Sequence, residues 1–190
     1  PPTLVAQETT SPNMEVFRSG SIAELITEIE KLQGSDLHTT ALFVAAGYNT
    51  NPEVVSALIK AGVNLEVKNN NGTTPLLSAA QFNTNPEITS ALIKAGANLE
   101  AKNNDGWTPL VAAICGNSNP EVTSLLIRAR ADMTYEADNG ASLLMLASRY
   151  SPSSDVIKSL IRAEFDVNAG NDSGVTPLMY AANFNTNANI

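Results

Sequence analysis

From residue 14 onward the apolar side chains fall into short clusters at helical spacing, divided by polar turns. Ile22, Leu25, Ile26, Ile29 and Leu32 share one helical face, and Glu24, Glu28, Glu30 and Lys31 take the other. Ser21 and Glu24 form a capping box at the start, each side chain satisfying the other's backbone N–H. Met14, Val16 and Phe17 make a shorter apolar face before the break at Ser19-Gly20. Gln33 to Thr39 reads as a short link to the next helical cluster.

The later clusters predict a repeated pair of helices. Thr74-Pro75, Thr108-Pro109 and Thr176-Pro177 are helix starts, with Thr as the cap and Pro at the first helical position. The first helix of a pair runs as in Pro75 to Gln81, and its Ala79-Ala80 leaves room for a neighbouring helix. Asn85-Pro86-Glu87 starts the second, which carries Ile88, Leu92 and Ile93 on one face. Gly96 ends it in the left-handed conformation that glycine tolerates. An extended piece from Asn98 to Lys102 leads to a turn at Asp105-Gly106, with counterparts at Asn71-Gly72, Asn139-Gly140 and Ser173-Gly174.

These elements recur at a fixed interval. Thr74-Pro75-Leu76 and Thr108-Pro109-Leu110 match Thr40-Ala41-Leu42, Ser142-Leu143-Leu144 and Thr176-Pro177-Leu178, 34 residues apart. Asn51-Pro52-Glu53, Asn85-Pro86-Glu87 and Asn119-Pro120-Glu121 keep the same spacing. Such a period signifies stacked supersecondary units and no single globular core. The divisions expected are a flexible tail over 1–12, a polar-faced N-terminal cap over 13–37, full units near 38–71, 72–105, 106–139 and 140–173, and a partial unit over 174–190.

A turn, two antiparallel helices and a finger, with the Thr-Pro-Leu signature, resemble the ankyrin repeat family. Gly72 with Thr74-Pro75-Leu76, Ala79-Ala80, Glu87-Ile88, Leu92-Ile93, Ala95-Gly96 and Asn98-Leu99 all fall in its register. The family's usual period is 33 residues, and the extra residue here lies in the interhelical loop. The histidine usual after Thr-Pro-Leu is replaced by Phe43, Leu77, Val111, Met145 and Met179, which are expected to bury. These departures resemble bacterial variants of the family. The resemblance implies an all-α repeat solenoid with short β-hairpin-like fingers and a non-catalytic role in binding proteins.

Composition narrows the partners. The net charge is −8, and the eleven Lys and Arg are scattered singly. Nucleic acid and anionic membrane surfaces need clustered basic residues and are disfavoured. No run approaches the ~18 apolar residues of a membrane span. Cys115 is the only cysteine and His38 the only histidine, so no disulfide, metal site or Cys–His dyad is expected. No cofactor is expected, and the chain is read as a monomer. The compartment stays open between cytoplasm and export; Leu4-Val5-Ala6 resembles the tail of an export signal but no charged start precedes it. Glu53, Glu87, Glu121 and Asp155 sit at helix starts, where the helix dipole accounts for them.

What remains is a binding surface. The resemblance implies a concave face built from finger tips and first helices. The matching tip positions are Thr73, Trp107, Ala141 and Val175 after the turn glycine, and Lys68, Asn70, Lys102, Asn104, Glu136 and Asp138 before it. The first-helix positions are Gln81, Cys115, Arg149 and Asn183. These residues differ from unit to unit while the framework repeats. Trp107 either dominates an interface or lies flat against a neighbouring finger. Cys115 reads as a small buried or half-buried hydrophobe and not as a reactive thiol. Tyr48, Phe82, Tyr150 and Phe184 recur in register, with Gly116 as a gap, and are expected as plugs between units. Arg130 and Glu164 replace the helix-ending glycine, and the unit around 142–168 is expected to be the weakest of the interior. The sequence ends where a second helix is due, which predicts that the natural chain continues. The alternative function is therefore the regulatory or targeting part of a larger enzyme whose catalytic region lies elsewhere.

Overall fold

The computed structural model describes residues 24, 27 and 35–185. The expected tail, the capping box at Ser21, most of the cap helix and the last five residues lie outside that range. Among the described residues the chain is a run of helices: α1 (Ser35–Tyr48), α2 (Pro52–Lys60), α3 (Pro75–Phe82), α4 (Pro86–Lys94), α5 (Pro109–Gly116), α6 (Pro120–Arg128), α7 (Leu143–Tyr150), α8 (Ser154–Arg162) and α9 (Pro177–Phe184). The odd-numbered helices pack in one row, α1 on α3 on α5 on α7 on α9. The even-numbered ones pack in a second row behind it.

The caps explain where the helices start. Thr74, Thr108 and Thr176 are extended, and each side chain accepts a hydrogen bond from the N–H three residues on. Asn51, Asn85 and Asn119 cap the second helices by accepting from Glu53, Glu87 and Glu121. Ser142 caps α7 in the same way without a following proline. The first unit departs from expectation. Its helix begins at Ser35, ahead of Thr40 and inside the expected link. Proline disfavours helical geometry in the residue before it. Ala41 stands where the other units have Pro75 and Pro109, and Thr40 lies inside the helix.

The core is a stack of small and branched aliphatics. Ala45, Ala46, Ala79, Ala80, Ala112, Ala113 and Ala147 are fully buried along the first-helix row. Leu58, Leu92, Leu126 and Leu160 are buried from the second row. Leu77, Val111 and Met145 bury as expected in place of histidine, whereas Phe43 is half-buried. Met179 is 50% exposed, because no described element packs over that face of the last unit.

Polar side chains tie unit to unit in register. The Asn83 amide donates to Ala46 O (2.9 Å) and Asn49 O (2.8 Å). Asn117 repeats this with Ala80 O (2.9 Å) and Asn83 O (3.0 Å), and Asn185 donates to Ser148 O at 2.8 Å. The last carbonyls of a helix have no partner within it, so each unit satisfies the helix end of the one before. Asn85 and Asn119 make a second row of such bonds, to Thr50 O and Thr84 O. A third row joins Glu66 to the N–H of Asn98 and Glu100 to that of Asp132.

All three rows are interrupted at one junction, between the units near 106–139 and 140–173. Ser151 and Ser153 occupy the positions of Asn117 and Asn119, and Ser151 Oγ donates to Ser153 O within its own loop. Thr134 stands where Glu100 would, and its hydroxyl donates to Asp132. The finger there is altered as well. Asn69, Asn103 and Asn171 each clamp their turn by accepting two backbone N–H bonds. Ala137 has no side chain to do so. The fingers are tight turns; among the described residues the isolated bridge Glu136–Ser142 is the β pairing present. On either side of the junction Arg130 (φ 67°) and Glu164 (φ 65°) adopt the left-handed conformation that Gly62 and Gly96 take elsewhere. Only the apolar core runs on unbroken, with Leu110 and Leu126 in one cluster with Leu143, Val156 and Leu160.

Arg130→Gly and Glu164→Gly are each expected to raise stability by about 1 kcal/mol in denaturant titrations, the cost of a left-handed non-glycine residue. Amide exchange at Leu125–Ile127 and Leu160–Ile161 is faster than at Leu92–Ile93, and equal protection would contradict a weak junction. Asn117→Ala strands two buried carbonyls and lowers the unfolding free energy by roughly 2 kcal/mol, readable in the same titrations.

Candidate binding surface

The expected site residues lie on two sets of elements, the fingers and the carboxyl ends of the first helices. On the fingers, Lys68, Asn70, Lys102 and Asn104 are exposed. They also hold each other. The Lys68 ammonium donates to Lys102 O (2.9 Å), and the Asn104 amide donates to Asn70 O (3.0 Å). Adjacent finger tips are thus joined by the residues that a partner would touch. Gly72 lies beneath this joint at φ 72°, and a Cβ there would strike the Asn104 side chain.

The residues after the turn glycine are more covered than the tip position suggests. Thr73 and Ala141 are buried, so they offer little surface. Trp107 and Val175 are half-buried. Trp107 packs against the central core cluster, and its backbone N–H donates to Asn103 Oδ1 at 2.8 Å. Its indole is therefore anchored on one side and open on the other. It packs on the core and not flat against a neighbouring finger, and only packing reveals that.

At the first-helix ends, Gln81, Cys115 and Arg149 are half-buried and Asn183 is exposed. Burial pushes the Cys115 thiol up to about 12, so it is protonated and unreactive at neutral pH. Tyr135, from the next finger, is also shifted upward, first by burial and then by the Asp138 charge and Cys115. Cys115 and Tyr135 pack against the same core cluster.

The aromatic residues overturn their expected role as plugs between units. Tyr48 (44% exposed), Phe82 (50%), Tyr150 (45%) and Phe184 (51%) form an exposed row along the ends of the first helices. The Tyr48 and Phe82 rings stack at 5.8 Å between centroids. The Arg149 guanidinium lies 4.8 Å from the Tyr150 centroid and 4.3 Å from that of Phe184. The 34-residue spacing shows that the rings share a register. It does not show which way they point, because each is the last helical residue and the chain turns away after it.

Among the described residues no three His, Cys, Asp or Glu side chains converge as metal ligands, and no helix is long and apolar enough to cross a membrane. Two helices and a finger per unit, stacked in parallel rows and tied by repeated amide bonds, define a helical repeat solenoid. The chain belongs to the ankyrin repeat family: the family model for ankyrin repeats (3 copies) matches residues 14–103, 42–137 and 117–190. No curated protein matches the chain significantly.

Cys115 gives a test of the packing here. A thiol reagent at pH 8 labels the native protein at least about 100-fold more slowly than the denatured chain, because the thiolate is the nucleophile and burial suppresses it.

Proposed function

We propose that the protein is a non-catalytic module that binds a protein partner across the side formed by its fingers and first helices. The observation that carries this is variation over a constant frame. Buried framework positions hold Ala and Leu in unit after unit. The open positions beside them change from Gln81 to Cys115 to Arg149 to Asn183, and from Lys102 to Glu136. A purely structural array has no need of such differences. Ankyrin repeats in general serve protein–protein interaction, which supports the same reading, although fold by itself does not name a partner.

Lys68, Asn70, Lys102 and Asn104 supply a polar rim, and Trp107 and Val175 supply apolar contact at the finger bases. Gln81, Cys115 and Arg149 line the helix side. Thr73 is buried, and its backbone N–H and C=O are both bonded to Asn69, so it holds the turn and offers the partner little. The scattered charges and net charge of −8 point away from nucleic acid. The protein acts as a monomer, and a light-scattering mass of one chain checks that.

Trp107 is the residue to test. Partner captured from native lysate by the wild-type protein binds Trp107→Ala more weakly by ~2 kcal/mol or more, as dominant interface residues do. The comparison is made well below the unfolding transition, since the indole also packs on the core. Equal binding removes Trp107 from the interface.

A further inference from the structure

Two consecutive residues end each first helix: Gly47-Tyr48, Gln81-Phe82, Cys115-Gly116, Arg149-Tyr150 and Asn183-Phe184. The second residue of each pair supplies a rung of the exposed aromatic row. The first residue decides what lies between that rung and the next. Gly47 has no side chain, and the Tyr48 and Phe82 rings meet directly, tilted by 17°. Arg149 instead places a planar cation between Tyr150 and Phe184. In the middle of the row the rung itself is missing. Gly116 is exposed and bare, Cys115 beside it is half-buried, and the Gln81 chain leans over from the preceding unit. A Cβ built on Gly116 would meet Gln81 Cγ at 2.9 Å, so a flexible side chain borders the glycine on that side.

Phe82 and Tyr150 are thus separated by two unit spacings, roughly 20 Å at the usual 8–10 Å between packed helices. The gap has exposed rings at its ends and a glycine floor. Glu136 and Asp138 are exposed on the finger that carries Tyr135. The protein's own next interval is filled by a guanidinium, and the chain carries a net charge of −8.

We propose that the gap over Gly116 seats an arginine of a basic peptide segment in the partner, its guanidinium stacked on the Tyr150 ring. This rests on the finger side being the binding side. Arginine suits the place because a flat, weakly hydrated cation gains from an aromatic face, as Arg149 does in the next interval, on a chain of net charge −8. Lysine gives up the planar contact, and an acidic peptide is repelled.

A displayed library of random dodecapeptides, panned against the full chain, tests this. The expected result is enrichment of arginine at one aligned position. Replacing that arginine by citrulline, which keeps the plane and loses the charge, weakens binding roughly tenfold. Gly116→Phe restores the missing rung and removes binding. It keeps wild-type helix content, read by circular dichroism, with the Gln81 side chain shifted off the new Cβ. Tyr150→Ala is the second variant: it weakens the arginine peptide and leaves its citrulline analogue little changed. Three results overturn the proposal: selection without arginine, citrulline peptides that bind as well, or arginine peptides that bind Gly116→Phe unchanged. If selected peptides lose affinity with Trp107→Ala but not with Gly116→Phe, the gap is overturned and the finger-side reading stands. If they are indifferent to both variants, both fall.

Discussion

Closely stacked first helices leave their carboxyl ends beside the next unit, and those carbonyls must be satisfied from there. Everything else in the array depends on that constraint. The buried pairs Ala45-Ala46, Ala79-Ala80 and Ala112-Ala113 let successive helices approach. Close approach removes water from the helix ends. The amides of Asn83 and Asn117 then take its place, each with two bonds to the unit before. An unmade bond at such a site costs the desolvation of a buried polar group, so register between units is set as firmly by these amides as by the apolar contacts. The histidine that the family usually places in the first helix is not needed for this. Its position is apolar here and, in the interior units, feeds the core.

The same logic shows why one junction differs. Ser151, Ser153, Thr134 and Ala137 each shorten a side chain that would have crossed to a neighbour or clamped a turn. Arg130 and Glu164 add left-handed strain at the adjoining helix ends. The apolar cluster from Leu110 to Leu160 carries that junction without these polar ties. It is also where the aromatic row lacks a rung. Binding surfaces tend to be drawn from the less stable parts of a structure. Gly116 lies in the unit just before that junction.

Much of the frame is legible in the chain itself. Thr-Pro and Asn-Pro-Glu caps mark helix starts through local chemistry, and the helices begin there. Gly96 and Gly106 mark backbone that needs positive φ, and they adopt it. Local signals fail where the deciding partner lies in another unit. Thr40 keeps the register of Thr74 but lies inside α1. The role of Asn83 and Asn117 is hidden because their partners are 34 and 37 residues away. The fingers resemble hairpins in sequence, yet those at Asn69, Asn103 and Asn171 close on an asparagine side chain.

The sequence by itself determined the repeat, the order of the helices and the residues that vary over a constant frame, because those depend on period and capping within a few residues. Only the tertiary structure decided which variable residues are open. Thr73 is buried although it follows the turn, and Trp107 is covered on one side. The row from Tyr48 to Phe184 is exposed although its spacing matches that of the core. Exposure depends on what the neighbouring unit brings to each position, and that contact is made between residues far apart along the chain.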